Sequence, residues 1–223
     1  MWSTPADDLP RPLPRRVLLA RHGETDWNRR RVWQGAADVP LNALGRAQAE
    51  ALAERLARER IDAIVASDLV RARVTAETVA ARLALSVHLD RDLREIDVGA
   101  WEGLGADEIR ARHPEAFAAL ARGEDIPRGG GETAAALRAR VARGFAAAAA
   151  RAPGRTLLVV AHGGTLKALV AHLLGLPAGH EARVTSGRNV ALTEFVCGDA
   201  GPQLLYLNDA RHAEQVVEPV DSE

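Results

Sequence analysis

The chain is poor in several residue types that enzymes often use. It contains one cysteine, Cys197, so an intramolecular disulfide and a cysteine-based metal site are excluded. Gln203 stands six residues after this cysteine, where a cysteine phosphatase would carry an arginine, so that type of catalytic loop is not encoded. Lys167 is the only lysine. Arginine therefore supplies almost all the positive charge, and the position of an arginine carries more information than its presence.

Long apolar runs are also missing. No segment approaches the roughly 18 apolar residues of a membrane helix. The first sixteen residues include four prolines, two aspartates and three arginines, and they do not resemble a signal peptide. We therefore expect a soluble cytoplasmic protein.

Two further absences limit the classes of partner. The formal net charge is −1, from 29 basic and 30 acidic side chains, so no global field favours nucleic acid or an anionic membrane. No Gly-Lys pair occurs, which excludes a Walker-type phosphate loop and leaves nucleotide-driven phosphotransfer without support.

The length and composition suit one globular domain, since 47% of the residues are hydrophobic and 26% are charged. We expect a disordered or loosely attached tail at 1–14, where the prolines obstruct regular hydrogen bonding. A single domain at 15–210 and a polar tail at 211–223 follow. Within the domain, 104–131 is predicted to be a small helical insert over the active site, with the glycines before residue 132 as its flexible return.

Short apolar runs alternate with helical patterns along this domain. Strands are predicted at 17–20, 61–66, 87–89, 156–161, 190–196 and 203–207. Helices are predicted at 42–56, 70–83 and 132–150, with a last helix that follows the 156–161 strand and runs to residue 174. This alternation indicates a three-layer α/β/α domain with a mostly parallel sheet.

Polar residues follow four of these strands directly or within one loop. They are Arg21, His22 and Asn28 after the first strand, Ser67 and Arg71 after the second, Glu95 after the third, and His162 after the fourth. In a parallel sheet the carboxyl ends share one edge, so these residues can converge. A strongly cationic pocket with one acid fits a phosphoryl group and its leaving oxygen.

Each residue also has a simpler interpretation. His22 could be a hydrogen-bonded core histidine, Arg71 a surface helix residue, and Glu95 the partner of Arg94. Arg71 lies in the first turn of its helix, where positive charge is unfavourable unless an anion is bound there. Two histidines and a carboxylate could bind iron or zinc, but the flanking arginines would be repelled by a divalent cation. The two glycines after His162 would let the backbone approach a ligand closely.

Four ordered motifs resemble those of the histidine phosphatase superfamily, also called the phosphoglycerate mutase-like family. They are Arg21-His22-Gly23-Glu24-Thr25-x-x-Asn28, Ser67-Asp68-Leu-Val-Arg71-Ala72, Leu93-Arg94-Glu95-x-x-x-Gly99-x-Trp101-Glu102-Gly103 and Ala161-His162-Gly163-Gly164. The matches extend over about 17–208.

The resemblance implies an acid-phosphatase-type phosphoric monoester hydrolase that needs no metal or cofactor. His22 would be the nucleophile that becomes phosphorylated, and it must be neutral despite the adjacent cations. Glu95 would protonate the leaving oxygen and then activate water. The phosphoryl oxygens would be bound by Arg21, Asn28, Arg71, His162 and Gly163.

Within the family, the sequence favours a phosphatase over a cofactor-dependent phosphoglycerate mutase. Mutases usually carry a tyrosine three residues after the acid and a lysine eleven after it, where this chain has Val98 and Ala106. No Arg-Arg pair occurs between Glu95 and His162. Gln34-Gly35 and Gly131-Glu132-Thr133 look more like the phosphatase branch. A non-catalytic module that binds phospholigands is a more distant alternative.

The resemblance leaves the substrate open between sugar-phosphate, glucosyl-phosphoglycerate and ribazole-phosphate types, with protein phosphotyrosine less favoured. The outer pocket is predicted to be lined by Trp33, Gln34, Gly35, Trp101, Glu102 and Glu132. Acids at this mouth favour a sugar or polyol that donates hydrogen bonds over a second phosphate. The expected ligand is a small phosphate ester, without nucleic acid or membrane, and a homodimer is compatible with the sequence.

Overall fold

The computed structural model describes residues 9–153 and 155–216, which form a six-stranded sheet with helices on both faces. The strands are β1 (Arg16–Arg21), β2 (Ala63–Ala66), β3 (Val87–Leu89), β4 (Thr156–Ala161), β5 (Leu192–Gly198) and β6 (Gly201–Asp209). The helices are α1 (Asp26–Arg29), α2 (Ala43–Leu56), α3 (Val70–Leu83), α4 (Ala106–Arg112), α5 (Pro114–Ala121), α6 (Ala134–Ala149) and α7 (Gly163–Leu173).

The sheet has the strand order β3-β2-β4-β1-β5-β6. The first four strands run parallel, and β5 and β6 are antiparallel additions at one side. This confirms the predicted mostly parallel sheet. The parallel strands β1, β2 and β4 are buried almost throughout, which explains their continuous apolar sequences. Their carboxyl ends lie at one edge, where the polar residues follow.

Two apolar clusters cover the two faces of the sheet, because successive strand side chains point in opposite directions. Leu19 and Val159 belong to the cluster that includes Phe145 of α6. Leu18 belongs to the other cluster, together with Leu52 of α2. Helices α6 and α7 pack against each other on one side, and α2 and α3 on the other. The predicted three-layer arrangement is confirmed.

The predicted insert consists of two short helices. Pro114 starts α5 immediately after α4 ends, because proline disfavours helical conformation in the residue before it. Ile109 of α4 is fully buried, so the insert is anchored in the core. The end of α5 and the stretch after it border the cavity described below, from Leu120 to Arg128.

The terminal segments pack against the domain where the structure describes them. Leu9 is 8% exposed and belongs to the main core, and Leu13 packs against the same cluster, so 9–14 is attached through its apolar side chains rather than disordered. Near the other end, Arg211–Ala213 forms a 3-10 turn, and Ala213 packs on the second cluster. The remaining parts of the two predicted tails, 1–8 and 217–223, lie outside the described residues. No helix in the described part of the chain is long and apolar enough to cross a membrane.

Candidate active site

The residues predicted from the strand ends meet at the carboxyl edge of the sheet, around a cavity of about 570 Å³. Strand β1 leads into Arg21 and His22, and β4 leads into His162, whose ring centroid lies 5.2 Å from that of His22. Six of the predicted catalytic and phosphate-binding residues line the cavity: Arg21, His22, Asn28, Arg71, Glu95 and Gly163. His162 is fully buried behind them.

The imidazole of His22 is held in one tautomer. Its Nδ1 lies 2.7 Å from the carbonyl oxygen of Gly23. A carbonyl can only accept, so Nδ1 carries the hydrogen and Nε2 is left with a free lone pair. The ring is therefore arranged to attack through Nε2.

The surroundings of His22 also keep it neutral. Burial lowers its pKa well below the ordinary value of 6.5, and the guanidinium groups of Arg71 and Arg21 lower it further. A proton on the ring would place a third positive charge beside two others. The sequence suggested that neutrality must be maintained despite these cations, but the cations favour the neutral ring.

The backbone after His22 is fixed by contacts from two helices. A Cβ atom at Gly23 would lie 2.3 Å from the carbonyl oxygen of Gly45 in α2, so only glycine fits. The N–H of Gly23 donates to Oγ1 of Thr75 at 3.0 Å, and the Thr75 hydroxyl donates to the carbonyl of Arg71 at 2.7 Å. Sequence reasoning missed Thr75; its only signal is its position one turn after Arg71 on α3.

Arg71 is fully buried and is oriented by three acceptors without a direct carboxylate contact. Its Nη1 donates to the carbonyl of Ala37 at 2.6 Å, and Nη2 to that of Gly35 at 2.9 Å. Its Nε donates to Nδ1 of His162 at 3.2 Å. Burial lowers the pKa of Arg71 to about 10, while the negative charge of Glu95 opposes that shift. The guanidinium thus keeps its charge at neutral pH and faces the cavity.

The N-terminus of α3 is occupied by a carboxylate of this chain. The N–H of Val70 donates to Asp38 at 2.6 Å. The sequence predicted a bound anion between Arg71 and this helix end. That prediction differs from the structure, because Asp38 satisfies the helix end and the Arg71 side chain turns toward His162.

His162 has protein partners on both ring nitrogens. Nδ1 accepts from Arg71, and Nε2 lies 2.8 Å from the hydroxyl of Ser67, so the hydrogen sits on Nε2. Burial, followed by the charge of Arg71, lowers its pKa well below 6.5, so the ring is neutral. The resemblance implied a direct phosphate ligand. That role stays a prediction; in this structure His162 contacts Arg71, which lines the cavity.

Arg21 and Asn28 each keep a donor for a ligand. Nη1 of Arg21 donates to the carbonyl of Gly187 at 2.8 Å, whereas its Nε is buried without a partner. Oδ1 of Asn28 accepts from the N–H of Thr25 at 3.2 Å and from Asn189 at 3.3 Å. The amide nitrogen of Asn28 is then the group that can donate into the cavity.

The carboxylate of Glu95 lies at the N-terminus of α7. Oε2 accepts from the N–H of Gly164 at 2.9 Å, and Oε1 accepts from those of Thr165 at 3.2 Å and Ile96 at 2.9 Å. A Cβ atom at Gly164 would lie 2.5 Å from Oε1. The glycines after His162 were predicted to admit a ligand; Gly164 admits the acid of this chain, and Gly163 lines the cavity.

Six residues were predicted to line the outer pocket, and the structure places only those of one loop at the cavity. Trp33, Gln34 and Gly35 line the cavity. Gln34 is 8% exposed, and its Oε1 is buried without a hydrogen-bond partner, so it can accept from a ligand.

The other three predicted pocket residues do not line the cavity, because each has a structural role. Trp101 is buried in the main core, where its ring meets that of Trp33 edge to face. Glu102 accepts from the N–H groups of Ala36 at 2.7 Å and Ala37 at 3.0 Å. Glu132 pairs with Arg140, with Nη2 at 2.6 Å from Oε2. Both acids were expected at the mouth of the pocket.

Other charged side chains line this mouth instead: Glu124, Asp125, Arg128, Lys167 and Glu181. Sequence reasoning missed them, although the position of Lys167 four residues after Gly163 on one helix was an available signal. Among residues 9–153 and 155–216, no group of three or more His, Cys, Asp or Glu side chains is placed to hold a metal ion.

Comparison with known proteins places this arrangement in a family. The model of the histidine phosphatase superfamily (branch 1) matches residues 17–210. Glucosyl-3-phosphoglycerate phosphatase from Mycobacterium tuberculosis is 40% identical over 191 residues, 81% of this chain and 85% of that protein. A probable phosphoglycerate mutase GpmB from Enterobacter sp. is 39% identical over 169 residues, 75% of this chain and 79% of that protein.

A solved structure agrees with these matches. The mycobacterial glucosyl-3-phosphoglycerate phosphatase in complex with VO3 superposes with a TM-score of 0.77 at 38% identity, covering 87% of this chain and 98% of that chain. Fold and site thus define an α/β enzyme with a buried histidine at a cationic pocket. The chain belongs to branch 1 of the histidine phosphatase superfamily and is a phosphoric monoester hydrolase.

Proposed function

We propose that the enzyme hydrolyses phosphate monoesters of small metabolites through a phosphohistidine on Nε2 of His22, without a metal ion. One observation carries the proposal: His22 donates Nδ1–H to Gly23, which leaves Nε2 as a neutral nucleophile beside Arg21 and Arg71. Both guanidinium groups can receive the negative charge of the transferring group.

In the first step, the Nε2 lone pair of His22 attacks phosphorus and the bond from phosphorus to the ester oxygen breaks. Glu95 in its protonated form transfers its proton to that oxygen, so a neutral alcohol leaves. Arg21, Arg71 and Asn28 bind the phosphoryl oxygens, and His162 holds Arg71 in position. The products of this step are the alcohol and a phosphorylated His22.

In the second step, a water molecule replaces the alcohol. The carboxylate of Glu95 takes a proton from this water, whose oxygen attacks phosphorus. The bond from phosphorus to Nε2 breaks, and its electron pair returns to the ring. Inorganic phosphate leaves, His22 is neutral again, and Glu95 carries the proton for the next cycle.

The substrate belongs to the small phosphorylated metabolites, sugar phosphates or phosphoglycerate-type compounds. A cavity of about 570 Å³ is within the usual range of small-molecule sites. One relative is named for its action on glucosyl-3-phosphoglycerate. A cytoplasmic location and a homodimer stay predictions from the sequence.

The test uses p-nitrophenyl phosphate as a general substrate. We expect hydrolysis in the presence of EDTA, inhibition by vanadate, and near-complete loss in His22→Ala. A phosphoenzyme that is labile in acid and absent from His22→Ala should be trapped by rapid quenching. His88→Ala is the matched control, because His88 is exposed on β3.

Two outcomes would contradict the proposal. Full activity of His22→Ala would exclude the nucleophile, and loss of activity in EDTA that Mg²⁺ or Zn²⁺ restores would exclude a metal-independent reaction.

A phosphoglycerate mutase is the second candidate, because one relative at 39% identity is named a probable mutase. The two activities separate in one assay with 3-phosphoglycerate. A phosphatase releases phosphate faster than it forms 2-phosphoglycerate, and a mutase does the reverse.

A further inference from the structure

We propose that Arg128 and Lys167 form a second anion subsite in the active-site cavity. The leaving alcohol of the substrate would then carry a second negative group, a carboxylate or another phosphate. This inference rests on the proposed phosphatase function and narrows its substrate class.

Arg128 has a donor without an acceptor. Its side chain lines the cavity, and its Nη1 is buried with no hydrogen-bond partner. Burial lowers the pKa of Arg128, while the carboxylates of Asp125, Glu95 and Glu181 raise it from beyond hydrogen-bond range. A buried guanidinium donor left unpaired is costly, so its position is explained by an acceptor that arrives with the ligand.

Lys167 supplies the second charge. It is the only lysine of the chain, and its half-buried side chain lines the same cavity. Among the described residues it has no ion-pair partner. It follows Gly163 by four positions and Gly164 by three on α7, so it shares their helix face. The Cα atom of Lys167 therefore lies about one turn beyond the end of α7 that holds Glu95, and its side chain leans back toward that end.

The acids around this part of the cavity do not pair directly with the two cations, because each acid is hydrogen-bonded elsewhere. Glu124 pairs with Arg122 at 2.7 Å, and Glu181 pairs with Arg138 at 2.7 Å. The two oxygens of Asp125 accept from the N–H groups at the start of α6, at 2.6 Å and 2.9 Å. Each of these acids therefore has a hydrogen-bond partner of its own, whereas Nη1 of Arg128 and the ammonium group of Lys167 do not pair with them. An anionic group of the ligand can supply the missing acceptor.

The arrangement reverses an expectation from the sequence. Acids at the pocket mouth favoured a sugar or polyol over a second phosphate, but Glu102 and Glu132 bind the protein's own backbone and Arg140. Because those two acids do not line the mouth, the unpaired cations Arg128 and Lys167 determine which substrates the enzyme prefers. Charge-assisted hydrogen bonds to such cations are the strong ones in a binding site.

The kinetic test compares substrates that differ only in the second group. 3-Phosphoglycerate and glycerol 3-phosphate differ in a carboxylate, and fructose 1,6-bisphosphate and fructose 6-phosphate differ in a phosphate. We expect the unmodified enzyme to prefer the member with two anionic groups in one pair by roughly tenfold or more in kcat/KM. The pair that shows the preference identifies the anion as carboxylate or phosphate.

Arg128→Gln and Lys167→Gln should each reduce that preference at least several-fold. Arg73→Gln is the matched control, because Arg73 is exposed on α3 and pairs with Glu77 outside the cavity. The control should leave the preference unchanged. An unmodified enzyme without preference in either pair, or variants with an unaltered preference, would overturn the inference.

A binding measurement separates this inference from the proposed catalysis. Calorimetry on His22→Ala, which cannot form the phosphohistidine, should show tighter binding of the preferred ester with two anionic groups. The advantage should disappear when Arg128→Gln or Lys167→Gln is added. If no ester is hydrolysed but this pattern appears, the catalytic proposal fails and the subsite stands. If hydrolysis through His22 occurs but this binding pattern is absent, only the subsite proposal fails.

Discussion

Nδ1 of His22 donates to the carbonyl oxygen of its own neighbour, Gly23, at 2.7 Å. Because Gly23 is in turn fixed by Thr75 and by the close approach of Gly45, the ring orientation depends on contacts from α3 and α2. The nucleophile is therefore positioned by the packing of the fold. Its reactivity comes from the same packing, since burial and two guanidinium groups keep the ring neutral.

The first prediction concerns stability in mild acid. The folded-state pKa values of His22 and His162 lie well below 6.5, whereas both should titrate near 6.5 in the unfolded chain. As pH falls below 6.5, the unfolded chain binds protons that the folded chain does not, so the free energy of unfolding decreases. The slope should reach about 1.4 kcal/mol per pH unit for each histidine, with no contribution above that range.

Urea unfolding between pH 5 and pH 7.5 measures this slope, in a window above the titration of carboxylates whose folded pKa is lowered, such as Asp68. His162→Gln should reduce the slope, and His88→Gln, on the exposed side of β3, should retain it. If the free energy of unfolding is independent of pH between 5 and 6.5, His22 and His162 are not both buried as neutral rings.

The second prediction concerns Gly164→Ala. The added Cβ would lie 2.5 Å from Oε1 of Glu95, the mobile end of a side chain, so the carboxylate should move while the backbone stays. A displaced acid cannot protonate the leaving oxygen efficiently. We expect kcat/KM for an alkyl phosphate to fall roughly 10- to 100-fold, within the range of a general acid. p-Nitrophenyl phosphate should lose less, because its leaving group needs little protonation.

The control for this variant is Gly198→Ala, since a Cβ at Gly198 meets no atom within 4 Å. The measurement is kcat/KM of both variants on the alkyl phosphate and on p-nitrophenyl phosphate. Thermal unfolding verifies that each variant is folded. Equal losses on the two substrates would show that Gly164→Ala disturbs phosphate binding in place of the acid.

The convergence of the inner residues could be predicted from the sequence for a physical reason. A residue that directly follows a buried parallel strand can only lie at the carboxyl edge of the sheet, as His22 and His162 do. The strand pattern therefore determines both the position and the convergence of these residues. The same reasoning identified Arg71, in the first turn of the helix after β2.

The outer site could not be predicted in the same way. Glu102 and Glu132 follow glycine-rich loops, and whether such a carboxylate faces solvent, ligand or backbone depends on contacts that sequence order does not determine. Both are held by the chain itself. Arg128 and Lys167 enter the cavity only because the insert and α7 pack beside it.

The third prediction tests the support of the nucleophile through Thr75→Val, which preserves shape but removes the hydroxyl. The N–H of Gly23 would lose its acceptor inside the core, which costs about 1–3 kcal/mol of stability. The loop that carries His22 should loosen, so kcat should fall. Thr78→Val is the matched control on the same helix, because its hydroxyl only donates to the carbonyl of Val74.

Chemical denaturation and steady-state kinetics measure the two effects of Thr75→Val. The prediction would be wrong if Thr75→Val and Thr78→Val lost similar stability and activity. The hydrogen bond from Gly23 to Thr75 would then contribute no more than an ordinary threonine contact on this helix.

The fourth prediction distinguishes a structural role of Glu102 from the substrate-binding role that the sequence suggested. Oε1 of Glu102 holds the N–H groups of Ala36 and Ala37, and the carbonyls of Gly35 and Ala37 in the same loop hold Arg71. Glu102→Ala should therefore release the loop and misplace Arg71, which faces the phosphoryl group of every substrate. We expect kcat/KM to fall by a similar factor, roughly tenfold, on all phosphate esters, because hydrogen bonds to a charged group contribute about 1.5–3 kcal/mol. Glu50→Ala, exposed on α2, should match the unmodified enzyme. A loss confined to sugar phosphates would instead place the carboxylate against the leaving group, so a panel of at least three chemically different esters decides between the two roles.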